Sequence, residues 1–536
     1  MSHSPVMRLR MWTYDLAREQ APSLDHLRRL LDVTREAGFH AFGLYAEHRF
    51  AYPSTPWSHG VGCVTPDMIR TLQSEYRDIQ IIPCINLLGH FEGMLYTEFG
   101  KRYAEELFQG MQACPSKPEF VELCEKLIDD TLAIFDAEII HIGGDETWQL
   151  GKCSRCSARV ASVEESAYEE GDKADGKAHL YGAHFGPLAE RVVKAGRRPA
   201  VWGDMFLDHP TALDFMPKET LIFDWQYFGG CRKTSQPFVD RGFEVVGCPT
   251  LHTYNATWFH IAQSEQNLRQ VAADVVDLGL YGVCMTTWEC ALMGSYDLLL
   301  PALKGTGEIL MAAEAGDRPG FEPEEGEPTA PTFLKAYLAE SERLEEWARL
   351  MGMELQSCGG KFAFSGIRSS LKVRLLLNAN PFLAWLHHHE ELMGEVGDKA
   401  MALFERAMAV APDEATKGVT LFGRSAVEFV RLAEKARQAY VAGNPGEANG
   451  YLALTRGLFD DLAKVAEATH RRIGGSMADA ERCRVAREHV ERVMRRVVQF
   501  GDGSLGYLPA FEHLTHPKFV PHDQAAWWLI NRWANQ

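Results

Sequence analysis

The sequence predicts an α/β chain: a (β/α)8 TIM barrel followed by an all-α C-terminal domain. Three observations carry this. Eight short apolar, β-branched or aromatic runs recur over the first 312 residues, each ending in polar residues. Amphipathic helical patterns lie between them. Beyond residue 331 almost no strand signal remains and helical patterns follow one another to residue 500. Strands that alternate with helices make parallel sheets, and eight such units closing on themselves make a barrel. An open doubly wound sheet is the alternative, because it is built from the same alternation.

The expected strands are residues 9–15, 41–47, 79–88, 139–146, 199–205, 221–226, 245–250 and 282–289. Helical stretches include 23–38, 119–137, 180–196 and 265–279. In the first of these Ser23 suits the N-cap and Gly38 the C-cap, with leucines at helical spacing between them. Residues 313–331 are rich in Pro, Gly and Glu and read as a linker or mobile loop. The domains are therefore 1–312, the linker 313–331, and a helical domain 332–536. Pro381 is expected to kink or split a helix over 371–393. Trp527, Trp528 and Trp533 close the chain and suit packing back onto the body. The apolar faces of the C-terminal helices are expected to brace the barrel or to form a homodimer.

Bulk properties narrow the function. The chain has 536 residues, is 46% hydrophobic and carries a formal charge of −18. An acidic surface is repelled by phosphate backbones and anionic lipid, so neither nucleic acid nor membrane is an expected partner. No run of about 18 apolar residues offers a membrane span. The first ten residues hold no apolar leader, so a cytoplasmic protein is expected. Twelve scattered cysteines then read as reduced thiols. Cys153 and Cys156 form a CxxC pair with no second CxxC, so incidental thiols are favoured over half a zinc site, and no metal or cofactor is expected.

In TIM barrels the chemistry sits at the C-terminal strand ends. Those ends carry Asp15, Glu47, His90, Asp145 with Glu146, Trp202 with Asp204, Trp225, His252 with Tyr254, and Trp288 with Glu289. The sharpest local signal is His141-Ile-Gly-Gly-Asp-Glu146. Two glycines permit a tight turn, and two adjacent carboxylates leave the strand in different directions. One carboxyl can be kept protonated by apolar surroundings while the other stays ionised. Glycosidic cleavage needs such a pair: an acid for the leaving oxygen, and negative charge near the oxocarbenium-like carbon. A solvated Asp-Glu pair on a loop is the plain alternative. Three indoles at one barrel end suit sugar stacking, although core packing would also use them. His387, His388 and His389 read as a solvated helix face.

The sequence resembles glycoside hydrolase family 20, the β-N-acetylhexosaminidases, whose hallmark His-x-Gly-Gly-Asp-Glu matches His141 to Glu146 in full. The resemblance covers roughly residues 8–312. It implies an exo-acting retaining enzyme that removes terminal non-reducing β-N-acetylhexosamine, GlcNAc or GalNAc, from small oligosaccharides or glycoconjugate glycans. It also implies that the substrate's own acetamido group attacks, giving an oxazolinium intermediate. By the same resemblance Asp145 and Glu146 are catalytic and His90 orients Glu146. Arg10, in the pattern Arg10-Met-Trp-Thr-Tyr-Asp-Leu-Ala-Arg18, holds sugar hydroxyls. Glu47 fills the second-strand acidic position. Trp202 with Asp204, Trp225, Tyr254, and Trp288 with Glu289 fall at the substrate-binding positions of later strands. The sequence departs from the family in three places. The chain opens almost directly on the first strand, as in some shorter bacterial members. The second-strand motif is less acidic, and Glu289 follows Trp288 directly where the family has one residue between. Two other readings stand beside this one: a metal-dependent hydrolase using His141, Asp145 and Glu146, and a sugar-binding barrel without activity.

Overall fold

The computed structural model describes residues 7–18, 20–60, 62–106, 111–169, 173–251, 258–288, 293, 296–316, 331–358, 376–377, 380–473 and 478–501. The chain divides into two compact units. One comprises Met1–Leu251, Gln263–Trp288 and Leu303–Thr329; the other comprises His252–Ala262, Glu289–Ala302 and Ala330–Gln536. The second unit thus takes two short segments from within the first 312 residues.

The first unit holds a closed parallel barrel. Its strands are β1 (Leu9–Asp15), β2 (Ala41–Tyr45), β3 (Gln80–Cys84), β4 (Ile139–His141), β5 (Arg198–Trp202), β6 (Leu221–Trp225), β7 (Glu244–Cys248) and β8 (Gly282–Thr287). They pair in sequence order, and β8 pairs back onto β1 with Leu9 opposite Gly282 and Trp12 opposite Met285. The short extension Thr250–Leu251 follows β7 and also pairs with β8. Both strand faces are covered, so β2 and β8 are buried throughout, which is why they read as unbroken apolar runs. Met11, Ile82, Ile139, Trp202, Phe223 and Cys284 belong to the buried cluster of the strands.

Every expected strand exists, but several stop early. β4 ends at His141 because Gly143 and Gly144 turn the chain with φ of 75° and 105°. A Cβ on Gly144 would lie 2.4 Å from the Tyr181 hydroxyl oxygen. The polar tails that follow these apolar runs are rim loops rather than strand. The helices return as expected. Leu24–Glu36 is capped by Ser23, whose side chain accepts the His26 N–H, and it closes at Ala37 with Gly38 next at φ 74°. Asp175 caps Gly176–Lys194 in the same way.

The second unit is helical where it is described. Its helices include Thr332–Glu340, Glu342–Arg349, Phe382–Leu392, Glu395–Val410, Glu414–Val441, Pro445–Ile473 and Ala478–Gln499. Asp413 and Thr416 close a capping box at the start of the 28-residue helix. Phe429 on that helix meets Phe382 at 5.3 Å and Phe459 at 5.6 Å, stitching three helices together. Pro381 marks where the α-helix of the expected 371–393 stretch begins, with 371–375 and 378–379 outside the described residues. It occupies the N-cap of Phe382–Leu392, a place where its missing N–H costs nothing. The linker (beyond Gly316) and Trp527, Trp528 and Trp533 lie outside the described residues. Among the described residues no helix is long and apolar enough to cross a membrane.

Candidate active site

The barrel's C-terminal rim is built on strained backbone. Four non-glycine residues among those described have positive φ, and three of them are Glu47 (40°), His90 (46°) and Glu146 (46°). The left-handed region costs a side-chain-bearing residue free energy, so it persists where the surroundings over-determine it. Here it brings three titratable side chains from the ends of β2, β3 and β4 to one rim. Gly89 lets the chain pass close by: a Cβ there would come within 2.1 Å of the Asp145 carbonyl oxygen.

His90 is the hub. Its Nε2 lies 2.9 Å from Glu146 Oε2 and 3.6 Å from Asp145 Oδ2, and its Nδ1 lies 3.6 Å from Glu92 Oε1. Burial opposes its charge, but Asp145, then Glu146 and Glu92, outweigh that and raise its pKa well above the ordinary value. The imidazolium is the form this site favours.

The two adjacent carboxylates differ in exposure. The Asp145 side chain is 11% exposed and that of Glu146 is 19% exposed, so Glu146 is the more accessible. Asp145 Oδ1 is buried and has no hydrogen-bond partner among the described residues. Burial raises the Asp145 pKa despite the opposing charge of His90. Asp204, immediately past β5, accepts the Glu146 backbone N–H at 2.9 Å and the Trp225 indole N–H at 3.3 Å. Its pKa is raised too, first by burial and then by Asp145.

Aromatic rings surround these groups. Trp202 and Trp288 meet edge-to-face at 5.9 Å, and Tyr45 meets Trp288 at 4.9 Å. The Trp288 indole donates to the Tyr227 hydroxyl at 2.6 Å, and Tyr227 lies 5.1 Å from Trp225. Trp225 and Trp288 are only partly buried, as side chains that line a pocket must be.

Most of the expected residues gather at this rim: Asp145, Glu146, His90, Glu47, Trp202, Asp204, Trp225 and Trp288. Glu47 is buried and accepts the Gly93 N–H at 3.1 Å. Tyr254 and Glu289 lie outside the described residues. Arg10 is the correction. It is the second residue of β1, whose rim end is Asp15, about 16 Å further along at 3.3 Å per residue. There it binds Glu314 at 2.6 Å and the Gly38 carbonyl at 2.8 Å, away from the carboxylate pair. Arg18, three residues past the strand end, takes the place at the rim. Its guanidinium lies 3.4 Å from Asp15, 5.3 Å from the Tyr45 ring and 5.7 Å from the Trp288 ring. Sequence reasoning also missed Tyr45, Glu92 and Tyr227. The position of Arg18 after the run 9–15 was the available signal.

His141 is not part of a metal-binding triad. Its Nδ1 accepts the Gly143 N–H at 3.1 Å, and its ring packs on Trp202 at 4.4 Å and Phe223 at 4.8 Å. Burial holds its pKa down at about 3, so it is neutral. Among the described residues the clusters with metal-ligand spacing do not include it.

Residues 35–285 match the profile of Glycosyl hydrolase family 20, catalytic domain. Solved structures with a similar chain include the GH20 exo-β-N-acetylglucosaminidase of Vibrio harveyi in complex with N-acetylglucosamine, at 18% identity and a TM-score of 0.46. That match covers 63% of this chain and 58% of that one. The chitobiase of Flavobacterium johnsoniae is 16% identical with a TM-score of 0.47, covering 93% of this chain and 73% of that one. The β-N-acetylhexosaminidase of Bacteroides fragilis NCTC 9343 is 16% identical with a TM-score of 0.45, covering 65% and 72%. No curated protein matches the sequence.

Proposed function

We propose that the protein, whose residues 35–285 match the glycosyl hydrolase family 20 catalytic domain, is an exo-acting retaining β-N-acetylhexosaminidase that uses the substrate's acetamido group as nucleophile. The observation that carries this is the unequal pair just past β4. Glu146 is the more open carboxyl and is tied to His90 through Oε2, while Asp145 keeps one buried oxygen without a partner.

In this reading Asp145 Oδ1 accepts the acetamido N–H, which turns the carbonyl oxygen toward the anomeric carbon. Holding the two reacting atoms in place replaces a costly encounter with an internal reaction. As the C–O bond breaks, Glu146 gives its proton to the leaving oxygen and the acetamido oxygen closes the oxazolinium ring. Asp145, ionised, stabilises the positive charge that appears on the ring. His90, as imidazolium, stabilises the Glu146 carboxylate left behind. Glu146 then takes a proton from water, which opens the ring and restores the β configuration. Trp202, Trp225 and Trp288 wall the acetamido group, and by resemblance Tyr254 holds its oxygen. Arg18, rather than Arg10, is the cation for the hydroxyls of the terminal sugar, with Glu289 by resemblance as a further acceptor.

Nitrophenyl substrates test this directly. The β-N-acetylglucosaminide or the galactosaminide should turn over, and the plain β-glucoside negligibly. A thiazoline analogue of the cyclic intermediate should inhibit strongly, because the site is shaped for that species. Efficient glucoside hydrolysis, or a trapped covalent glycosyl-enzyme, would replace the substrate's nucleophile with one from the protein. No turnover of either aminosugar would leave a binding barrel.

A further inference from the structure

A second cluster of reactive side chains lies in the loops that follow β3 and β4, and the glycosidase chemistry makes no use of it. Cys114 Sγ is 3.5 Å from Cys153 Sγ and 3.5 Å from Cys156 Sγ. Glu105 Oε2 is 3.2 Å from Cys156 Sγ. Donor atoms from all four residues lie within 4.8 Å of one another, and all but Cys153 are buried. The sulfurs are too far apart for a disulfide, which needs about 2 Å. The sulfurs are linked to one another only by weak S–H hydrogen bonds.

We propose that Cys114, Cys153, Cys156 and Glu105 bind one zinc ion, and that this ion pins the loop after β3 to the loop after β4.

Several features of the cluster suit zinc. Tetrahedral zinc with Zn–S bonds of about 2.3 Å sets its sulfurs roughly 3.8 Å apart, close to the spacing observed here. Three thiolates and one carboxylate form a closed four-ligand set of the structural kind, and thiolates favour zinc over calcium or magnesium. The ligands are already aimed. Cys153 immediately precedes the helix Ser154–Glu169, and Cys156 lies in its first turn. The Cys156 N–H points at Cys153 Sγ at 3.4 Å. Glu105 is oriented by its other oxygen, which accepts the Cys153 N–H at 2.9 Å. Ser116 Oγ lies 3.1 Å from Cys156 Sγ and accepts from Arg159 at 3.1 Å, the kind of outer contact that fixes a ligand. On binding, the three thiols release three protons to solvent and the ion takes the thiolates.

The location gives the ion a task. His90 and Cys114 belong to one loop, Glu146 and Cys153 to the other. The loops already touch through the Gln112 and Gln149 side-chain amides, each bonding the other's backbone N–H at 2.9 and 3.2 Å. A tetrahedral ion across them would fix the 2.9 Å contact between His90 and Glu146, making the cysteines positioning residues.

Elemental analysis of the full chain, purified from zinc-supplemented culture, should find one zinc per chain. Cys153→Ser and Cys156→Ser should lose it, and Cys63→Ser, outside the cluster, should keep it. If the serine variants fail to fold, cobalt exchange into the native protein decides. A thiolate-to-cobalt charge-transfer band with tetrahedral visible bands supports the site. No metal, iron in place of zinc, or a Cys114–Cys153 disulfide would overturn it. Removing the ion from the native protein should speed amide exchange at Gly89–Phe91 and Thr147–Leu150. Unchanged exchange there would overturn the pinning.

Discussion

An arginine lies toward each end of strand β1, Arg10 within it and Arg18 three residues past it, and the two live under different rules. At the N-terminal end Arg10 is matched: Glu314 takes its charge and the Gly38 carbonyl takes its Nε–H. At the C-terminal end Arg18 is deeply buried among an excess of carboxylates. Burial opposes its charge, while Asp15, Glu47 and Glu92 raise its pKa well above the usual arginine value. Around it three side chains stand on left-handed backbone, and Asp145 keeps a buried oxygen unbonded. One end closes its charges into pairs that hold the barrel shut. The other leaves polar capacity open and strain unrelieved, as a site that must bind something does. Chemistry should follow the unsatisfied end.

The sharpest break of that comparison is at β4. Asp145→Asn and Glu146→Gln should each cut kcat by about 10²- to 10⁴-fold, the range for losing a positioned acid or base. Asp145→Asn should hurt turnover more than KM, since its charge matters once the acetamido nitrogen becomes positive. Glu146→Gln should spare substrates with activated leaving groups, which need little protonation. At the other end Glu314→Gln should leave kcat nearly unchanged and lower the melting temperature. A Glu314 variant as inactive as the Asp145 variant would erase the distinction between the two ends.

The arginines themselves give the next largest effect. Arg18→Ala should lower kcat/KM by about 10- to 100-fold, as expected for losing a charged hydrogen bond to a sugar hydroxyl. Arg10→Ala should leave kcat/KM intact and cost about 2 kcal/mol of stability, because it removes one half of a largely buried pair. Measuring kinetics and thermal unfolding on both variants separates these outcomes. The opposite pattern would return Arg10 to the site.

A smaller effect is a movement of the pH profile. In the proposed mechanism Asp145 acts as the ionised carboxylate, and burial has raised its pKa above the ordinary range near 4. The acid limb of kcat/KM should therefore sit higher than for an unperturbed aspartate. The charge on His90 holds the Asp145 pKa down against that burial. Replacing His90 with Gln removes the cation, so Asp145 should hold its proton to still higher pH and the acid limb should move up. An unmoved limb would mean that His90 is not cationic beside Asp145.

The same contrast explains what the sequence made legible. The eight strands could be read because a parallel barrel covers both faces and leaves unbroken apolar runs. β4 was overextended because Ile142 continues the apolar pattern, whereas the chain direction is set by the φ of Gly143 and Gly144. Asp145, Glu146 and His90 could be found because each sits within a few residues of a strand end. Arg10 was misplaced because a motif gives spacing along the chain and not direction through the barrel; counting from Asp15 puts Arg18 at the rim. Pairing Cys114 and Glu105 with Cys153 and Cys156 was beyond sequence reasoning, since 38 or more residues separate the groups and only the loop paths join them.

The smallest expected effect is in the helical unit. His388 lies buried in Phe382–Leu392, the helix whose Phe382 packs on Phe429. On the same helix the Trp385 indole donates to Glu434 at 2.8 Å, and Arg437 binds the same carboxylate at 2.7 Å. Among the described residues of this unit no three histidine, cysteine or carboxylate side chains gather with metal-ligand spacing. His388→Gln keeps hydrogen-bonding capacity in a similar volume. It should cost about 1 kcal/mol, or roughly 2–4 °C in Tm, with kcat and KM unchanged. The aminosugar assay beside a thermal melt reads both. A variant that folds normally yet loses turnover would show that unsatisfied polar capacity is a poor guide to where this protein works, and would move part of the chemistry into the helices.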